Sequence, residues 1–513
     1  MTASNPKTTF TIVAANTVVE NAEQKVLLVG QMISGTATPG ALVTNIQNES
    51  SENDLFGRQS QLAEMVRAFK RINPVSRLDA IPLADNGSGV AATAAVTFTG
   101  TATASGTLYV SVGSSVNHRY QLDVSSGNTA ATLATNLTAL ITADLSALMS
   151  AAAVSGACNL TALNDGTIAN SYTIKVEGLV EGISVAITAP SAGATDPSVT
   201  SVFDVIDGLR YQTIVMPVQY GTSTLGTLLT SRFNVDNDVL DGIGVFTKID
   251  TYANLVTLGG TLNNQSLIVL GNQTVSRTAL KGGQIVEFDF CISAEFAAVR
   301  ALRLTLDQNI SQYVLGGESR DQFGGPALST LPYFNTPFYN LPVIEQGDQF
   351  TSLEIDALNA AGISVLLNNI ANNQLIAGQI VTTYKTDAGG NPDLSYKYLN
   401  YVDTISNIRE YMFNNAKSDF RQARLTQGDL VPNRRMFNQA GIEAVFDGYY
   451  LALSGPDFVL VQAGEGAMQY FKENRSASID LSQGQVTMNM VVPIVTQLRE
   501  ILATLKISFS TDS

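Results

Sequence analysis

The fold is decided by the stretch Lys25-Val26-Leu27-Leu28-Val29-Gly30-Gln31-Met32, a short apolar run that a glycine ends. A continuous run of this length is typical of a strand that is buried on both faces. A helical pattern follows, because Ser60 precedes apolar residues that share one helical face, and Pro74 closes it. A second short apolar segment occupies residues 78–83. Strand, helix and strand in this order predict a parallel pair of strands with a helical crossover.

The same alternation resumes after residue 210. Apolar patterns predict strands at residues 211–218, 244–249 and 265–270, and helices at 225–233, 252–262 and 294–314. We therefore predict one discontinuous α/β domain, formed by residues 25–84 and 205–345. Residues 1–24 are predicted to form an N-terminal arm that contains a strand at residues 8–13.

The α/β pattern is interrupted by a segment of different composition, residues 85–204. Between Ala91 and Asn164 the only charged residues are Arg119, Asp123 and Asp144. Alternating residues predict strands at 96–99, 108–112, 172–176 and 183–187, and helical spacing predicts one helix around residues 133–141. The segment is therefore predicted to be a mostly β insertion domain, joined to the α/β domain by loops that contain Gly or Pro.

The remaining residues, 346–513, are predicted to form an α+β region. Its predicted helices are residues 349–358, 401–419 and 437–453, and its predicted strands are 363–367, 374–385, 485–492 and 505–509. An irregular segment rich in Gly and Pro, residues 316–342, precedes it. The terminal strands within 8–13 and 485–509 have no evident partner in the sequence. The fold class is thus α/β and α+β, multidomain, with strand-forming arms at both termini.

The composition excludes several classes of function. Only 14% of the residues are charged, well below the roughly 25% of an ordinary soluble domain, and such a weakly charged surface favours association. The net charge of −15 disfavours binding to nucleic acid. The polar N-terminus is not expected to act as a signal peptide, and no apolar stretch in the sequence is long enough to span a bilayer. We expect the protein to be made and used in a cytoplasm.

No motif predicts an enzyme, a metal site or a cofactor. The single histidine, His118, has no GxSxG elbow to work with, and the glycine pairs are followed by neither Lys-Ser nor Lys-Thr, as a P-loop requires. Cys158 and Cys291 are far apart and are expected to be small buried residues. The loop at residues 387–393 does not match the spacing of a calcium-binding EF-hand and is interpreted as a hairpin tip.

One stretch of charge stands out against the acidic background. Residues 409–435 contain six basic and three acidic side chains. The basic residues are Arg409, Lys417, Arg421, Arg424, Arg434 and Arg435. Two interpretations stay open: contact with an acidic partner surface, or an ordinary solvated helix face.

An ordered set of segments resembles the tail sheath proteins of Mu-like contractile-tailed phages. No single one of these segments is diagnostic, but together they cover most of the chain. The segments are Val26-Leu27-Leu28-Val29-Gly30-Gln31, Asp54-Leu55-Phe56-Gly57-Arg58-Gln59-Ser60-Gln61-Leu62-Ala63-Glu64-Met65, Leu78-Asp79-Ala80-Ile81-Pro82-Leu83, Thr97-Phe98-Thr99-Gly100-Thr101-Ala102, Val495-Thr496-Gln497-Leu498-Arg499 and Ile507-Ser508-Phe509.

The resemblance implies a structural subunit of a contractile tail sheath. Such subunits stack as hexameric rings around an inner tail tube and contract to drive the tube through the host envelope. The family implies terminal strands that exchange between subunits by strand addition. The strand residues so implied are Phe10, Ile12, Val486, Met488, Met490, Val492, Ile507 and Phe509. It also implies that Arg421, Arg424, Arg434 and Arg435 face the tube, and that the insertion lies outside.

The implied partners are further copies of the chain, a tail tube protein, and baseplate and tail terminator proteins, without nucleic acid or membrane insertion. The implied location is the virion tail, assembled in the host cytoplasm. Two alternatives stay open. The chain fits another virion structural protein, such as a baseplate component or adhesin, and an α/β scaffold does not by itself exclude an enzyme.

Overall fold

A computed structural model describes residues 24–47, 51–233, 238–273, 287–305, 337–338, 349–369, 374–430, 435–455 and 460–495. Its largest element is an eight-stranded sheet, whose order is β13-β15-β14-β12-β11-β10-β1-β2. The strands are β1 Lys25–Gln31, β2 Arg77–Leu83, β10 Thr213–Val215, β11 Ile243–Asp250, β12 Leu267–Gln273, β13 Pro337–Phe338, β14 Ile363–Asn369 and β15 Gln374–Ala377. The predicted parallel pairing of β1 with β2 is confirmed, and β1 also pairs in parallel with β10.

The sheet is buried under helices that the sequence connects to it. These helices are α1 Ser51–Phe56, α2 Gln61–Ile72, α4 Thr222–Arg232, α5 Tyr252–Thr261, α6 Asp289–Thr305 and α7 Ser352–Ala360. Helix α2 begins where the Ser60 hydroxyl accepts a hydrogen bond from the Ala63 N–H at 3.2 Å, a cap that satisfies one otherwise free amide. Its apolar face packs on β1 and on α6. The continuous apolar run of β1 is buried for that reason.

The predicted insertion contains seven strands and one helix, α3 Ala130–Ala143. The strands are β3 Thr93–Gly100, β4 Gly106–Val112, β5 Ser114–Val124, β6 Met149–Val154, β7 Ala157–Ala162, β8 Ile174–Glu177 and β9 Ile183–Ser191. They form two sheets of their own, β6-β7-β3-β9 and β5-β4-β8, against which α3 packs. The sequence did not predict β5, β6 or β7. The insertion is therefore richer in β structure than expected.

The carboxyl-terminal part of the chain has a second, smaller hydrophobic core. Its elements are α8 Leu399–Asp419, β16 Arg424–Leu425, β17 Met436–Phe437, α9 Gln439–Leu453, α10 Glu465–Glu473, β18 Arg475–Asp480 and β19 Gln485–Met490. Helix α8 belongs to both cores, because Leu399 and Val402 lie in the first and Ile408 and Met412 lie in the second.

Ion pairs hold α8 at the amino ends of the central strands, beside the junction of the two cores. Arg210 pairs with Glu410 at 2.7 Å, and Arg409 pairs with Asp241 at 2.7 Å. A further pair joins the buried Arg300 on α6 to a carboxylate of α8, that of Asp403. Arg409 is therefore engaged inside the chain and does not belong to a solvated face.

Several predicted boundaries need correction. The domain boundary placed at residues 345 and 346 cuts through the eight-stranded sheet, because β14 and β15 pair with β12 and with each other beyond it. The strand predicted at 211–218 ends at Val215, because Pro217 lacks an N–H and a 3₁₀ turn, Val218–Tyr220, follows. The strand predicted at 374–385 ends at Ala377. The other domain limits stay predictions.

Three predicted elements lie wholly or partly outside the described residues. They are the strand at 8–13, the strand at 505–509, and the end of the helix at 294–314. The irregular segment at 316–342 lies outside too, apart from β13.

Candidate functional site

The place where a doubly wound sheet would bind a ligand is filled by the protein itself. Ligands bind such sheets in the crevice at the carboxyl ends of the strands where the strand order reverses, here between β1 and β10. At the end of β1, the Gln31 amide donates to Asp85 Oδ1 at 2.6 Å and to the Asp165 carbonyl at 2.7 Å. The Tyr220 hydroxyl lies 2.9 Å from Gln31 Oε1. Polar groups of the predicted insertion and of the sheet region thus satisfy one another's hydrogen bonds at this crevice.

The residues considered for catalysis or metal binding are placed in structural roles. His118 is buried, and its ring nitrogens face the carboxylates of Asp144 and Glu64 rather than a nucleophile. Cys158 and Cys291 are both buried free cysteines, as expected. Across the described residues, no group of three or more His, Cys, Asp or Glu side chains is arranged to hold a metal ion.

The loop at residues 387–393 is a turn, as interpreted from the sequence. The Asp387 carboxylate accepts hydrogen bonds from the Gly389 and Asn391 N–H groups at 2.8 Å each. These bonds hold the pKa of Asp387 below its ordinary value. The carboxylate is thus already used within its own turn.

The more informative surface is the hairpin of β18 and β19. The two strands pair antiparallel, with Ala477 opposite Met488 and Ile479 opposite Val486. Apolar side chains of the hairpin pack on the second core, whereas the alternate side chains are polar and exposed. The exposed face consists of Ser476, Ser478, Asp480, Gln485, Thr487 and Asn489. This alternation is typical of a sheet that covers a core with one face only.

Hydrogen bonding around the hairpin distinguishes its two outer edges. In an antiparallel pair, opposite residues alternate between those that bond to each other and those whose main-chain groups point outward. The Val491 N–H donates to the Asn474 carbonyl at 3.1 Å, which fixes the phase of that alternation. The main-chain groups of Ala477 and Ile479 on β18, and of Val486, Met488 and Met490 on β19, therefore point outward.

The outer edge of β18 is partly occupied. The Ala477 N–H donates to Glu443 Oε1 of α9 at 3.1 Å, and Arg475 binds the same carboxylate through Oε2 at 3.0 Å. Although partial burial raises the pKa of Glu443, hydrogen bonds from Gln439 and Ala477 and the charge of Arg475 bring it below its ordinary value. Glu443 is thus held as an anion, which blocks the middle of this edge.

The outer edge of β19 has no such cover among the described residues. The outward N–H and C=O groups of Val486, Met488 and Met490 have no main-chain partner within the part of the chain that the structure describes. Unpaired groups along a strand edge form a template for another strand. Of the two edges, that of β19 therefore has no described group across its outward main-chain atoms, whereas that of β18 has Glu443.

The strand residues implied by the family fall into two groups. Val486, Met488 and Met490 lie on β19, with half-buried side chains against the second core, and Val492 follows the strand. The sequence shows no evident partner for this strand, but the structure pairs residues 485–490 with β18. Four further residues lie outside the described part of the chain. They are Phe10, Ile12, Ile507 and Phe509.

The arginines implied to face a tube are not equivalent. Arg421 and Arg424 are exposed, and neither side chain forms an ion pair with another described residue. Arg435 is also exposed, but it donates to the Ser418 and Asp419 carbonyls at the carboxyl end of α8, at 3.2 and 2.7 Å. Arg434 lies outside the described residues. Arg424 lies on β16, opposite Met436 of β17, and Arg421 and Arg435 lie just before β16 and β17.

Glu443 and Ala477 were not identified from the sequence as edge-defining residues. Their contact joins positions 34 residues apart, and no local pattern reports it. The helices within the described ranges include none that is both long and apolar enough to cross a membrane.

Comparison with known proteins gives one clear sequence relative and several structural neighbours. No protein-family model matches the chain. A helical sheath of the anti-feeding prophage in its contracted state is similar, with 11% identity and a TM-score of 0.48, over 98% of this chain and 99% of that one. A sheath tail protein from Desulfitobacterium hafniense has 11% identity and a TM-score of 0.44, over 96% of this chain and 100% of that one. Structural similarity of this degree does not establish a shared function.

The sequence relative is the Mu-like prophage FluMu tail sheath protein of Haemophilus influenzae. It is 27% identical over 399 residues, which are 75% of this chain and 73% of the relative. This comparison confirms the resemblance that the ordered segments indicated: the chain is similar to a tail sheath protein of a Mu-like prophage.

Proposed function

We propose that this chain is the structural subunit of a contractile tail sheath and that it assembles by accepting a strand at the outer edge of β19. The observation that carries the proposal is the row of outward main-chain groups at Val486, Met488 and Met490, without a partner in the described residues. A two-stranded hairpin is marginal by itself, and a third strand would complete its hydrogen bonding. The sequence similarity to a tail sheath protein supports the same role.

The donor strand comes from another copy of the chain. The terminal segments that contain Phe10 and Ile12, or Ile507 and Phe509, have the strand-like composition needed. Exchange of such segments links subunits into stacked hexameric rings around an inner tube. The assembly contracts and drives the tube through the host envelope. Since strand pairing needs no nucleotide, the filled crevice at β1 agrees with this mechanism.

Two further partners follow from the proposed role. An inner tube protein contacts the arginines at positions 421, 424, 434 and 435 through an acidic surface. Baseplate and tail terminator proteins bind the two ends of the assembly. The location is the virion tail, with assembly in the host cytoplasm and no enzymatic activity.

The proposal is tested by blocking the β19 edge with proline. Met488→Pro removes the outward N–H at the middle of the edge, and proline is tolerated at an edge position whose N–H faces outward. Met488→Ala is the matched control, because it loses the same side chain and keeps the N–H. We expect hollow tubes or rings from the full chain and from Met488→Ala by negative-stain electron microscopy, and monodisperse particles from Met488→Pro.

A second proline distinguishes the two edges. Ile479 lies on β18, opposite Val486 of β19, and the outer edge of β18 is partly occupied by Glu443. The second variant is Ile479→Pro. We expect this variant to assemble. Assembly of Met488→Pro into normal tubes would refute the β19 edge as the acceptor. Monodisperse particles from the unaltered chain at every concentration would instead favour a baseplate component or an adhesin.

A further inference from the structure

The insertion is seated on helix α2 and on the start of α6 by buried polar contacts. The Ser114 hydroxyl donates to Glu287 Oε2 at 2.9 Å, and Asn117 donates to Glu64. The Phe288 ring lies 4.7 Å from the Tyr172 ring. Each contact joins a residue of the predicted insertion to one before or after it. The two parts of the chain therefore meet through a buried interface and not only through their connecting loops.

A histidine lies between two carboxylates at the centre of this interface. The side chain of His118, on β5, is only 1% exposed. Its Nδ1 lies 2.8 Å from Asp144 Oδ2, just after α3, and its Nε2 lies 3.9 Å from Glu64 Oε2 on α2. The ring meets Phe288 edge-on, with 5.9 Å between centroids. Asp144 belongs to the insertion and Glu64 to the helix beneath it, so one imidazole contacts carboxylates on both sides.

The surrounding groups complete the arrangement. The Tyr120 hydroxyl donates to Asp144 at 2.9 Å, and Arg67 pairs with Glu64. Glu64 and Asp144 lie against different ring nitrogens of His118, and the repulsion between nearby carboxylates is offset when a cation lies between them. A neutral imidazole can donate from one nitrogen only, whereas an imidazolium donates from both. The 3.9 Å from Nε2 to Glu64 Oε2 is too long for a hydrogen bond, so a protonated ring meets Glu64 as an ion pair while Nδ1–H donates to Asp144.

We propose that His118 is a permanently charged, buried cation that locks the insertion onto α2, and that loss of this charge releases the insertion while the eight-stranded sheet stays folded. The lock is ionic because the charged imidazole of His118 lies between the carboxylates of Glu64 and Asp144. It is local because none of the three lies on a strand of the eight-stranded sheet.

The titration behaviour agrees with a permanent charge. Burial alone lowers the pKa of His118, but the hydrogen bonds and charges of Asp144 and Glu64 outweigh it and raise that pKa to about 9. Burial raises the pKa of Glu64, but His118 and Arg67 bring it down to about 2. Because the pKa of His118 is raised on folding, its stabilisation is complete below the ordinary value of 6.5 and is lost as the pH rises through about 9.

Other groups at this interface titrate differently. Desolvation by burial raises the pKa of Glu287 to about 7, and that of Glu295, further along α6, to about 8. Both therefore also lose stabilisation as the pH rises, starting from the ordinary value of 4.5. The pKa of Tyr120 is raised far above its ordinary value, so this phenol stays neutral. Because these windows overlap that of His118, the test must follow the imidazole itself.

The chain is well suited to such a test because it contains 1 histidine. Histidine-selective ¹³C and ¹⁵N NMR of the full chain reports on His118 alone. We expect the imidazolium signature to persist through neutral pH, with a midpoint near 9. A midpoint close to the ordinary value of 6.5 would overturn the proposal.

The release is tested by hydrogen exchange on His118→Gln. We expect exchange to accelerate at least about tenfold in β5 and α3 while β11 and β12 stay protected. Arg119→Gln is the matched control, because the adjacent Arg119 is 41% exposed in a surface pair with Glu177. We expect this control to leave exchange unchanged. Unchanged exchange in His118→Gln, or equal acceleration throughout the chain, would refute the lock. If the variant does not fold, the unaltered chain is compared at neutral pH and above the midpoint, with the same two readouts.

Discussion

Strands β1 and β19 differ in how many of their edges are paired and in how far their side chains are buried. Strand β1 has a partner on each side, and its apolar side chains, such as Leu27 and Leu28, are completely buried. Strand β19 has one described partner, half of its side chains face solvent, and no other described strand pairs with its outer edge. Strand β1 is thus paired on both sides within the chain, whereas β19 is paired on one side only among the described residues. A buried, mostly parallel sheet therefore serves as the scaffold, and the exposed hairpin is the proposed connector.

The largest expected effect breaks the scaffold. Phe69 of α2 is fully buried in the first core, and Phe471 of α10 is fully buried in the second. Phe69→Ala should lower the free energy of unfolding by about 3–5 kcal/mol and weaken the whole chain, since it leaves a cavity against the central strands. Phe471→Ala should cost about 3 kcal/mol and speed hydrogen exchange in β18 and β19 only.

Chemical denaturation and hydrogen exchange together separate these outcomes. Leu353→Ala is the control, because Leu353 is 82% exposed and its loss should change stability by less than about 0.5 kcal/mol. If Phe471→Ala opened β1 and β2 as much as β19, the two regions would be one cooperative unit, and the comparison would fail.

A smaller effect is expected from loosening the hairpin of β18 and β19 from α9. Arg475 ties the hairpin to α9 through Glu443 at 3.0 Å and Asp447 at 2.7 Å, and its side chain is 12% exposed. Arg475→Ala should destabilise the docking of the hairpin by about 1–3 kcal/mol, because it removes charged hydrogen bonds from a mostly buried site. The readout is exchange at the β18 amides. Ser476→Ala, on the exposed face, is the control, and an equal effect from it would argue against this role of Arg475.

The smallest effect on stability is expected at the exposed arginines. Arg424→Glu should change the free energy of unfolding by less than about 0.5 kcal/mol, because its side chain makes no ion pair with other described residues. The same change should weaken co-sedimentation with an acidic tube protein, if these cations face it. Lys472→Glu makes the same change of net charge at an exposed position of α10, and this variant should bind the tube protein as the unaltered chain does. Equal loss of binding in both variants would point to net charge and not to a local contact.

The sequence predicts the scaffold better than the connector, for physical reasons. A parallel strand that is buried on both faces must be continuously apolar, so the run Val26-Leu27-Leu28-Val29 reveals both its type and its burial. Strand β18 reads Arg-Ser-Ala-Ser-Ile-Asp, and only Ala477 and Ile479 mark its inner face. Two apolar residues are too weak a signal to predict a strand, and only the pairing with β19 in the structure identifies it.

The edge contact of Glu443 with Ala477 and the interface around His118 are less predictable still, because both depend on distant contacts. Strand β5 carries an alternation of His118, Tyr120, Leu122 and Val124 that marks one buried face, and this pattern could have revealed the strand. The partners of His118 could not be found in this way, since Glu64 lies 54 positions before it and Asp144 lies 26 positions after it. The domain boundary was misplaced because β14 and β15 rejoin the sheet only after a long intervening segment.

Helix α8 has a mechanical consequence. Its 21 residues span roughly 30 Å at about 1.5 Å per residue, and opposite ends of this one rod are embedded in different cores. The hairpin packs on α9, and α9 packs on α8, so a pull on the hairpin acts through α9 on a stiff helix that ion pairs with Asp241, Arg210 and Arg300 fix beside the central sheet. About 18 Å of the helix extends beyond these ion pairs, at about 1.5 Å per residue, so a tilt of about ten degrees there moves its end by about 3 Å, somewhat over half of the spacing between paired strands.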